Sequence, residues 1–307
     1  MPLVSFPALM QDARRRSYAV GYFESWNLES LLAVADGAER LRSPVILGFS
    51  GIYLPHPERC VHDPLEAYAA LGLQVCQRLS VPACLLFNES PHKDWVISAI
   101  ETGFSLVMYS DETLNADDKT AAIRDLAQLA HENGAAIEGE LQALAGVGGE
   151  LMGHEPEDLH LTDPADAQNF IEQTGIDALA VNIGQVHLHG RRTVRLNLSR
   201  LQQLGDISVP LVLHGATSVE PNDLRAAIEL GIRKINGGSR LKQAFFRALR
   251  KACAAADPAG NPYEMIGSGL EQDVLVAGRM AMQQEVEQLM KLFGSAGKAD
   301  DWRRDKA

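Results

Sequence analysis

Histidine and carboxylate side chains follow several short apolar segments of this sequence, and together they could bind a metal ion. In PLVLHGATSV, residues 210–219, the apolar run PLVL comes directly before His214. His187 follows another apolar segment, DALAVN, residues 177–182. Among common metals, zinc best suits imidazole combined with carboxylate. Either histidine alone is better interpreted as an ordinary hydrogen-bonded residue, but for the two together we favour a metal site.

Further carboxylates and hydroxyls stand in the same position relative to apolar segments. We expect catalytic or ligand-binding roles for this group, whose members are Glu24, Ser50, Asp111, Glu138 and Glu140. Carboxylates can coordinate a cation or carry protons in general acid–base catalysis.

Two loops of small residues could bind an anion. Residues 215–218 and 236–239 combine glycine with hydroxyl side chains, and such turns present backbone N–H groups to phosphates. Arg191 and Arg240 lie near enough in sequence to add positive charge. The alternative is that the two glycines of the second loop only terminate a strand.

The elements that must position these groups alternate regularly along the chain. Strands are predicted at residues 18–23, 44–49, 81–87, 104–109, 135–138, 177–182, 210–213 and 232–236, with helix-like segments between most of them. This alternation predicts a (β/α)8 TIM barrel over residues 1–256, whose active site lies at the carboxyl ends of the strands. A doubly wound sheet usually has fewer units and a glycine-rich turn after its first strand, which is absent here.

Residues 257–307 are predicted to be a C-terminal helical extension with one long helix over about residues 270–293. Its methionine-rich face would suit an oligomer contact, giving a homodimer or homotetramer. Packing on the barrel's own surface is an equally good interpretation. The charged tail from Lys298 is predicted to be frayed. The sequence leaves open whether the polar loop over residues 146–163 closes on the site.

Composition limits the possible partners and compartment. The net charge of −12 argues against a nucleic-acid-binding face, although a local basic pocket could still bind an anionic substrate. No segment has the roughly 18 apolar residues of a membrane helix, and the amino terminus is unlike a signal peptide. The four cysteines form no CxxC pair, which favours a reducing compartment and a cytoplasmic location.

Several longer segments carry a family resemblance. They are AVGYFESWNLESLLAVADGAE (19–39), SPVILGFS (43–50), TDPADAQNFIEQTGIDALAVNIG (162–184), PLVLHGATSV (210–219), AAIELGIRKIN (226–236) and FGSAGKA (293–299). Together they resemble the zinc-dependent class II fructose- and tagatose-bisphosphate aldolases along almost the whole chain. The resemblance implies a barrel, an assembly of two or more chains, and one Zn2+ per chain that polarises a ketose phosphate during aldol cleavage.

The resemblance also implies roles for individual residues. His187 and His214 correspond to two of the three zinc-binding histidines, and Glu140 corresponds to a glutamate close to the metal. Arg191 stands where the family usually has a lysine near the phosphate. The positions that correspond to phosphate or dihydroxyacetone binding are Gly215, Thr217, Asn236 and Ser239. Ser218 stands where the family has a glycine, and we expect it to bind the same end of the substrate.

One motif departs from the family pattern at the chemically important positions. The third zinc-binding histidine and the proton-transferring aspartate belong to a His-Leu-Asp-His-Gly motif, but this chain has LFNES at residues 86–90. Asn88 therefore replaces the aspartate and Glu89 replaces the histidine. Glutamate can bind zinc, so a His₂Glu set is expected. An amide cannot exchange protons near neutral pH, and general acid–base catalysis is worth roughly 10²–10⁴-fold.

The departures leave the proton carrier and the reaction open. Candidates for the proton carrier are Glu24, Asp111, Glu138 and His92. The first functional hypothesis is a divergent metal-dependent aldolase, a lyase acting on a phosphorylated or otherwise anionic sugar-like substrate. The second is an isomerase, epimerase or decarboxylase on the same scaffold. The third is a catalytically silent relative that binds a sugar phosphate or only assembles with a partner.

Overall fold

Eight parallel strands close into one barrel in sequence order. The computed structural model describes residues 3–142, 144, 160–186 and 193–302. The strands are β1 Val20–Ser25, β2 Val45–Ser50, β3 Ala83–Ser90, β4 Leu106–Tyr109, β5 Ala136–Glu140, β6 Ala178–Ala180, β7 Leu211–Leu213 and β8 Ile232–Gly237. The ring is closed by β1 pairing with β8, where Tyr22 is in register with Asn236. The predicted (β/α)8 barrel with a C-terminal helical extension is confirmed.

Helices surround the barrel and follow most of its strands. They are α1 Phe6–Arg15, α2 Leu28–Leu41, α3 Leu65–Arg78, α4 Lys93–Glu101, α5 Ala116–Glu132, α6 Pro164–Thr174, α7 Leu198–Gln203, α8 Pro221–Glu229, α9 Ser239–Ala255, α10 Pro262–Met265, α11 Val274–Leu292 and α12 Lys298–Trp302. The Asn27 side chain caps α2, because its carboxamide oxygen accepts the Ser30 N–H and the Ser30 hydroxyl accepts the Asn27 N–H. No helix in the described ranges is long and apolar enough to cross a membrane.

Helix α1 closes the amino-terminal end of the barrel, and the sequence patterns did not predict it. Its buried face carries Phe6, Leu9 and Met10, which pack in one cluster with inward residues of the strands such as Val20 and Ile46. An isolated helix of this length is marginal in water, so its stability comes from plugging the barrel.

The C-terminal helix α11 packs on the barrel's own helices α2 and α9. Met282, Val286 and Met290 are buried and belong to the main core cluster. The residues after Lys298, predicted to be frayed, instead form α12 as far as Trp302. They are held there because the Ala299 N–H donates to the Arg42 carbonyl at 2.9 Å.

Candidate active site

The carboxyl ends of the strands surround a polar cavity at one mouth of the barrel. Side chains alternate between the two faces of a strand, so every second residue points into the barrel. The cavity is lined by Tyr22, Glu24, Asn88, Glu89, His214, Gly215, Thr217, Ser218 and residues 236–239. It therefore brings together members of the predicted metal site and both predicted anion-binding loops.

His214 lies between two carboxylates. Its Nδ1 is 2.8 Å from Glu89 Oε1, and its Nε2 is 2.7 Å from Glu138 Oε1. Burial favours the neutral imidazole, but the two carboxylates outweigh burial and raise the pKa of His214 to about 10. In this arrangement both ring nitrogens carry protons near neutral pH, and each donates to a carboxylate.

A second buried cation stabilises the carboxylate behind His214. Lys234 Nζ lies 2.8 Å from Glu138 Oε2, and both side chains are fully buried. The contact is an ion pair rather than a well-angled hydrogen bond, since Oε2 has no hydrogen-bond partner among the described residues. Burial raises the pKa of Glu138, but Lys234 and then His214 lower it more, so its pKa lies below the ordinary value. Glu138 is therefore a charged support for His214.

Glu89 is aimed at His214 by an irregularity of β3. The pairing of β3 with β4 shifts register between Phe87 and Ser90, and Glu89 has a φ of 55°. A non-glycine residue in the left-handed region is uncommon and marks a constrained site. The Asn88 amide donates to Glu89 Oε2 at 2.9 Å. Both residues that depart from the family motif are thus parts of one hydrogen-bonded unit with His214.

Glu140 is buried at the end of β5 and accepts a hydrogen bond from the Ser110 hydroxyl. Burial is the largest cause that raises its pKa, and the charge of Glu89 adds to it. Glu140 therefore keeps a proton to higher pH than an ordinary glutamate does, whereas the pKa of Glu138 is shifted in the opposite direction.

The two predicted anion-binding loops follow the neighbouring strands β7 and β8, and both line the cavity. Gly215 has a φ of 65° and leads into a 3₁₀ turn over Ala216–Ser218, while the second loop leads into the amino terminus of α9. Backbone N–H groups at such positions favour anions. These loops can hold a phosphate or carboxylate group.

A carboxylate of the chain itself lies against the second loop. A Cβ atom placed on Gly238 would lie 2.5 Å from Glu24 Oε2, so glycine permits this close approach. The other oxygen, Oε1, accepts a hydrogen bond from Lys242 Nζ at 2.6 Å. Lys242 also lies 4.6 Å from the centroid of the Tyr53 ring. Glu24 and Lys242 thus place one negative and one positive charge beside the predicted anion site.

The donor atoms present fit part of a zinc site. A metal-binding histidine usually donates its second ring N–H to a carboxylate, as His214 does to Glu138 through Nε2. Glu89 faces the remaining nitrogen. Within the part of the chain that the structure describes, no three His, Cys, Asp or Glu side chains form a metal-binding group. A complete set requires the predicted third ligand, His187, which lies outside the described residues.

Other predicted residues are placed away from the cavity lining or outside the described ranges. Asp111 accepts hydrogen bonds from the Thr113 backbone and hydroxyl, and the Ser50 hydroxyl accepts the Ile52 N–H at 3.3 Å. His92 immediately precedes α4. Arg191 and residues 146–159 of the polar loop lie outside the described residues.

Three site residues escaped the sequence reasoning. Tyr22 and Lys234 lie inside predicted strands and not at the strand ends, where the sequence analysis placed the candidate site residues. Residues two positions apart in a strand point to the same face. Tyr22 therefore shares the inner face with Glu24, and Lys234 shares it with Asn236, which is a signal that could have identified both. Lys242 lies in the first turn of a helix and carried no motif.

Comparison with known proteins gives one consistent result. The family model for class II fructose-bisphosphate aldolase matches residues 4–298. The crystal structure of the YdjI aldolase from Escherichia coli K12 is similar with a TM-score of 0.77 and 28% identity, covering 97% of this chain and 99% of that one. A putative fructose-1,6-bisphosphate aldolase from Coccidioides immitis gives 0.77 and 26%, covering 95% and 96%.

A third structure extends the likeness in fold alone. The fructose-bisphosphate aldolase from Campylobacter jejuni has a TM-score of 0.77 at 20% identity, and 96% of each chain is covered. The match of the family model over nearly the whole chain agrees with the resemblance carried by the sequence segments. This chain belongs to the class II fructose-bisphosphate aldolase family.

Proposed function

We propose that this protein is a divergent metal-dependent lyase that cleaves or forms a carbon–carbon bond in a phosphorylated or otherwise anionic ketose-like substrate. The observation that carries the proposal is that His214, Glu89 and residues of both predicted anion-binding loops line one cavity, with Glu138 buried behind His214. Family membership and the aldolase neighbours support the reaction class. The substituted motif at Asn88 and Glu89 supports a substrate or mechanism that differs from the usual family reaction.

The proposed metal ligands are His187, His214 and Glu89, with Glu140 close by. When bound, Zn2+ would polarise the substrate carbonyl and stabilise the enediolate that forms on bond cleavage. Glu138 would hold the imidazole of His214 in its orientation through Nε2, and Lys234 would keep Glu138 charged. An anionic ligand such as Glu89 makes the metal a weaker Lewis acid than three neutral imidazoles would.

We assign proton transfer to Glu140 rather than to Asn88, Asp111 or Glu138. The Asn88 amide is neither a useful acid nor a useful base. Asp111 holds a turn, and Glu138 is engaged by two cations. Burial raises the pKa of Glu140 above its ordinary value, which is the direction that favours proton exchange by a carboxyl group. Glu140→Gln should therefore reduce carbon–carbon bond formation by roughly 10²–10⁴-fold.

The phosphate or carboxylate end of the substrate is assigned to the backbone and hydroxyls of Gly215, Thr217 and Ser218, together with Asn236 and Ser239. Arg191 would add charge there. Glu24 would contact the substrate next to this group, since it lies against Gly238. Ser50 is in register with Asn88, and we propose that it also binds the substrate.

A specific observation favours a second candidate, the catalytically silent sugar-phosphate-binding relative. Both ring nitrogens of His214 are occupied by carboxylates, so the site is internally satisfied. Metal content separates the candidates. Purified protein with about one zinc per chain, lost in His214→Ala and kept in the surface control His131→Ala, supports the enzyme. Protein that takes up no metal at saturating zinc supports the silent relative.

Turnover separates the aldolase from an isomerase on the same scaffold. The protein would be incubated with dihydroxyacetone phosphate and a panel of aldehydes, and new carbon–carbon bonds would be followed by NMR. Isomerised or decarboxylated substrate without a new carbon–carbon bond would overturn the aldolase assignment.

A cytoplasmic location and a homodimer or homotetramer through α11 belong to the same proposal. In its support, all four cysteines are free and Met280 of α11 is exposed.

A further inference from the structure

The inner face of β1 carries a buried hydroxyl for which no described residue provides a partner. Tyr22 is 2% exposed and lines the active-site cavity. Its hydroxyl oxygen is buried and makes no hydrogen bond among the described residues. Buried polar groups are nearly always paired, and an exception in a native structure needs an explanation.

Neighbouring strands hold the Tyr22 ring in position, although no described residue pairs with its hydroxyl. Tyr22 is in register with Ile46 on β2 and with Asn236 on β8. Lys234 Nζ lies 5.3 Å from the centroid of the ring, within the range of a cation–π contact. The phenol is therefore held between neighbouring strands, beside the support of His214.

The surroundings keep this phenol a hydrogen-bond donor. Burial is the largest cause that raises the pKa of Tyr22 well above its ordinary value, and the charges of Glu24, Glu89 and Glu138 add to it. A protonated hydroxyl held rigidly at a cavity wall can stabilise negative charge on a bound oxygen without reorganising.

We propose that the Tyr22 hydroxyl is a catalytic hydrogen-bond donor that binds the substrate oxygen gaining negative charge as the carbon–carbon bond forms or breaks. The inference rests on the proposed aldolase reaction. It gives this chain a hydrogen-bond donor in the same cavity as Asn88, which stands where the family has its proton-transferring aspartate. The phenol keeps its proton throughout, so the contact stabilises charge and breaks no bond of Tyr22.

Tyr18, which belongs to the same buried cluster but lies toward the end of the barrel closed by α1, provides a matched control. It is buried like Tyr22, but its hydroxyl donates to Asp12 Oδ2 at 2.7 Å. Asp12 belongs to α1, at the closed end of the barrel. Tyr18→Phe and Tyr22→Phe therefore remove the same atom from two buried residues. The Tyr18 hydroxyl is paired with Asp12, whereas Tyr22 lines the cavity and its hydroxyl has no partner among the described residues.

The two variants should show opposite effects. Tyr22→Phe should unfold at the same temperature as the wild type or higher, because it removes a buried hydroxyl that no described residue pairs with. Its kcat for carbon–carbon bond formation from dihydroxyacetone phosphate and the best aldehyde of a panel should fall by roughly 10²–10³-fold, with KM changed far less. Tyr18→Phe should unfold a few degrees lower and keep wild-type kcat. A Tyr22→Phe variant with wild-type kcat, or with the stability loss of Tyr18→Phe, would overturn the inference.

A ligand-binding experiment tests this inference separately from the proposed function. If the wild type forms no carbon–carbon bond with any aldehyde, the proposed function fails, and dihydroxyacetone phosphate then serves as a ligand in thermal unfolding. A shift of the unfolding temperature that is present in the wild type and reduced in Tyr22→Phe supports the contact. An equal shift in both proteins, or none in the wild type, overturns it.

Discussion

Lys234 and Glu138 form an ion pair inside the barrel, with Nζ 2.8 Å from Oε2 and both side chains fully buried. The pair comes from two strands, β8 and β5, that are not neighbours in the barrel. The Lys234 ammonium keeps Glu138 ionised, so that Glu138 can accept a hydrogen bond from the Nε2–H group of His214. The geometry of the candidate metal ligand therefore depends on a lysine in the interior of the barrel.

Removing this lysine should destabilise the protein strongly. Lys234→Met leaves the Glu138 carboxylate buried beside a single cation, which is expected to cost about 3–5 kcal/mol of unfolding free energy. Urea denaturation measures the change. The double variant Lys234→Met/Glu138→Gln should recover part of the loss because no uncompensated charge remains. A single variant as stable as the wild type would contradict the ion pair's role.

The His214 proton should be retained far above the ordinary histidine range. Because the folded pKa of about 10 lies above the unfolded value, the stabilisation is fully present below about pH 6.5 and is lost as pH rises toward 10. Nitrogen-15 NMR of the metal-free protein should show one imidazole, absent in His214→Gln, that stays protonated at pH 8. A His214 signal titrating near pH 6.5 would contradict the double-carboxylate arrangement.

Zinc binding should release a proton if it uses His214 Nδ1. The nitrogen must lose its proton to bind a metal, so the apparent affinity should rise up to about tenfold per pH unit between pH 7 and 9. Calorimetry in buffers of different ionisation enthalpy counts the released protons. Affinity independent of pH over this range would show that the metal binds elsewhere.

Restoring the family's carboxylate at position 88 should raise weak fructose-bisphosphate aldolase activity and lower the stability of the metal-free protein. In Asn88→Asp the donor to Glu89 Oε2 becomes a second carboxylate, so we expect a loss of about 1–3 kcal/mol. Added zinc should recover part of it. Asn88→Ala, which lacks both donor and carboxylate, is the control that should lose stability without gaining activity. No gain in Asn88→Asp would mean that other groups of the cavity also prevent the usual reaction.

Charge at Glu24 should control how tightly an anion binds. In Glu24→Gln the Lys242 ammonium loses its carboxylate partner at 2.6 Å, and the negative charge beside Gly238 disappears. Binding of inorganic phosphate, measured by calorimetry, should strengthen roughly 5- to 30-fold, corresponding to about 1–2 kcal/mol. Asp36→Asn, on the outer helix α2 and paired with Arg279, is the control that should leave phosphate binding unchanged. Weaker phosphate binding in Glu24→Gln would assign Glu24 a different role.

Strand and helix positions could be predicted because they depend on local chemistry. Apolar runs such as residues 44–49 and 210–213 mark strands buried on both faces, and the Asn27 cap marks the beginning of α2. The strand ends then identified most of the cavity lining, because all parallel strands present their carboxyl ends at one mouth of the barrel. Short elements whose stability comes from packing were not predicted from the sequence, and α1 is the clearest example.

The sequence by itself determined the barrel, the family and the residue types at the mouth, because alternation and motif spacing are local properties. Only the tertiary structure decided that His214 forms hydrogen bonds with two carboxylates at once, and that Lys234 forms an ion pair with one of them, Glu138. The same holds for the Tyr22 hydroxyl, which has no partner among the described residues. These contacts join residues more than 70 positions apart. Their geometry is set by the closure of the barrel, which no single segment encodes.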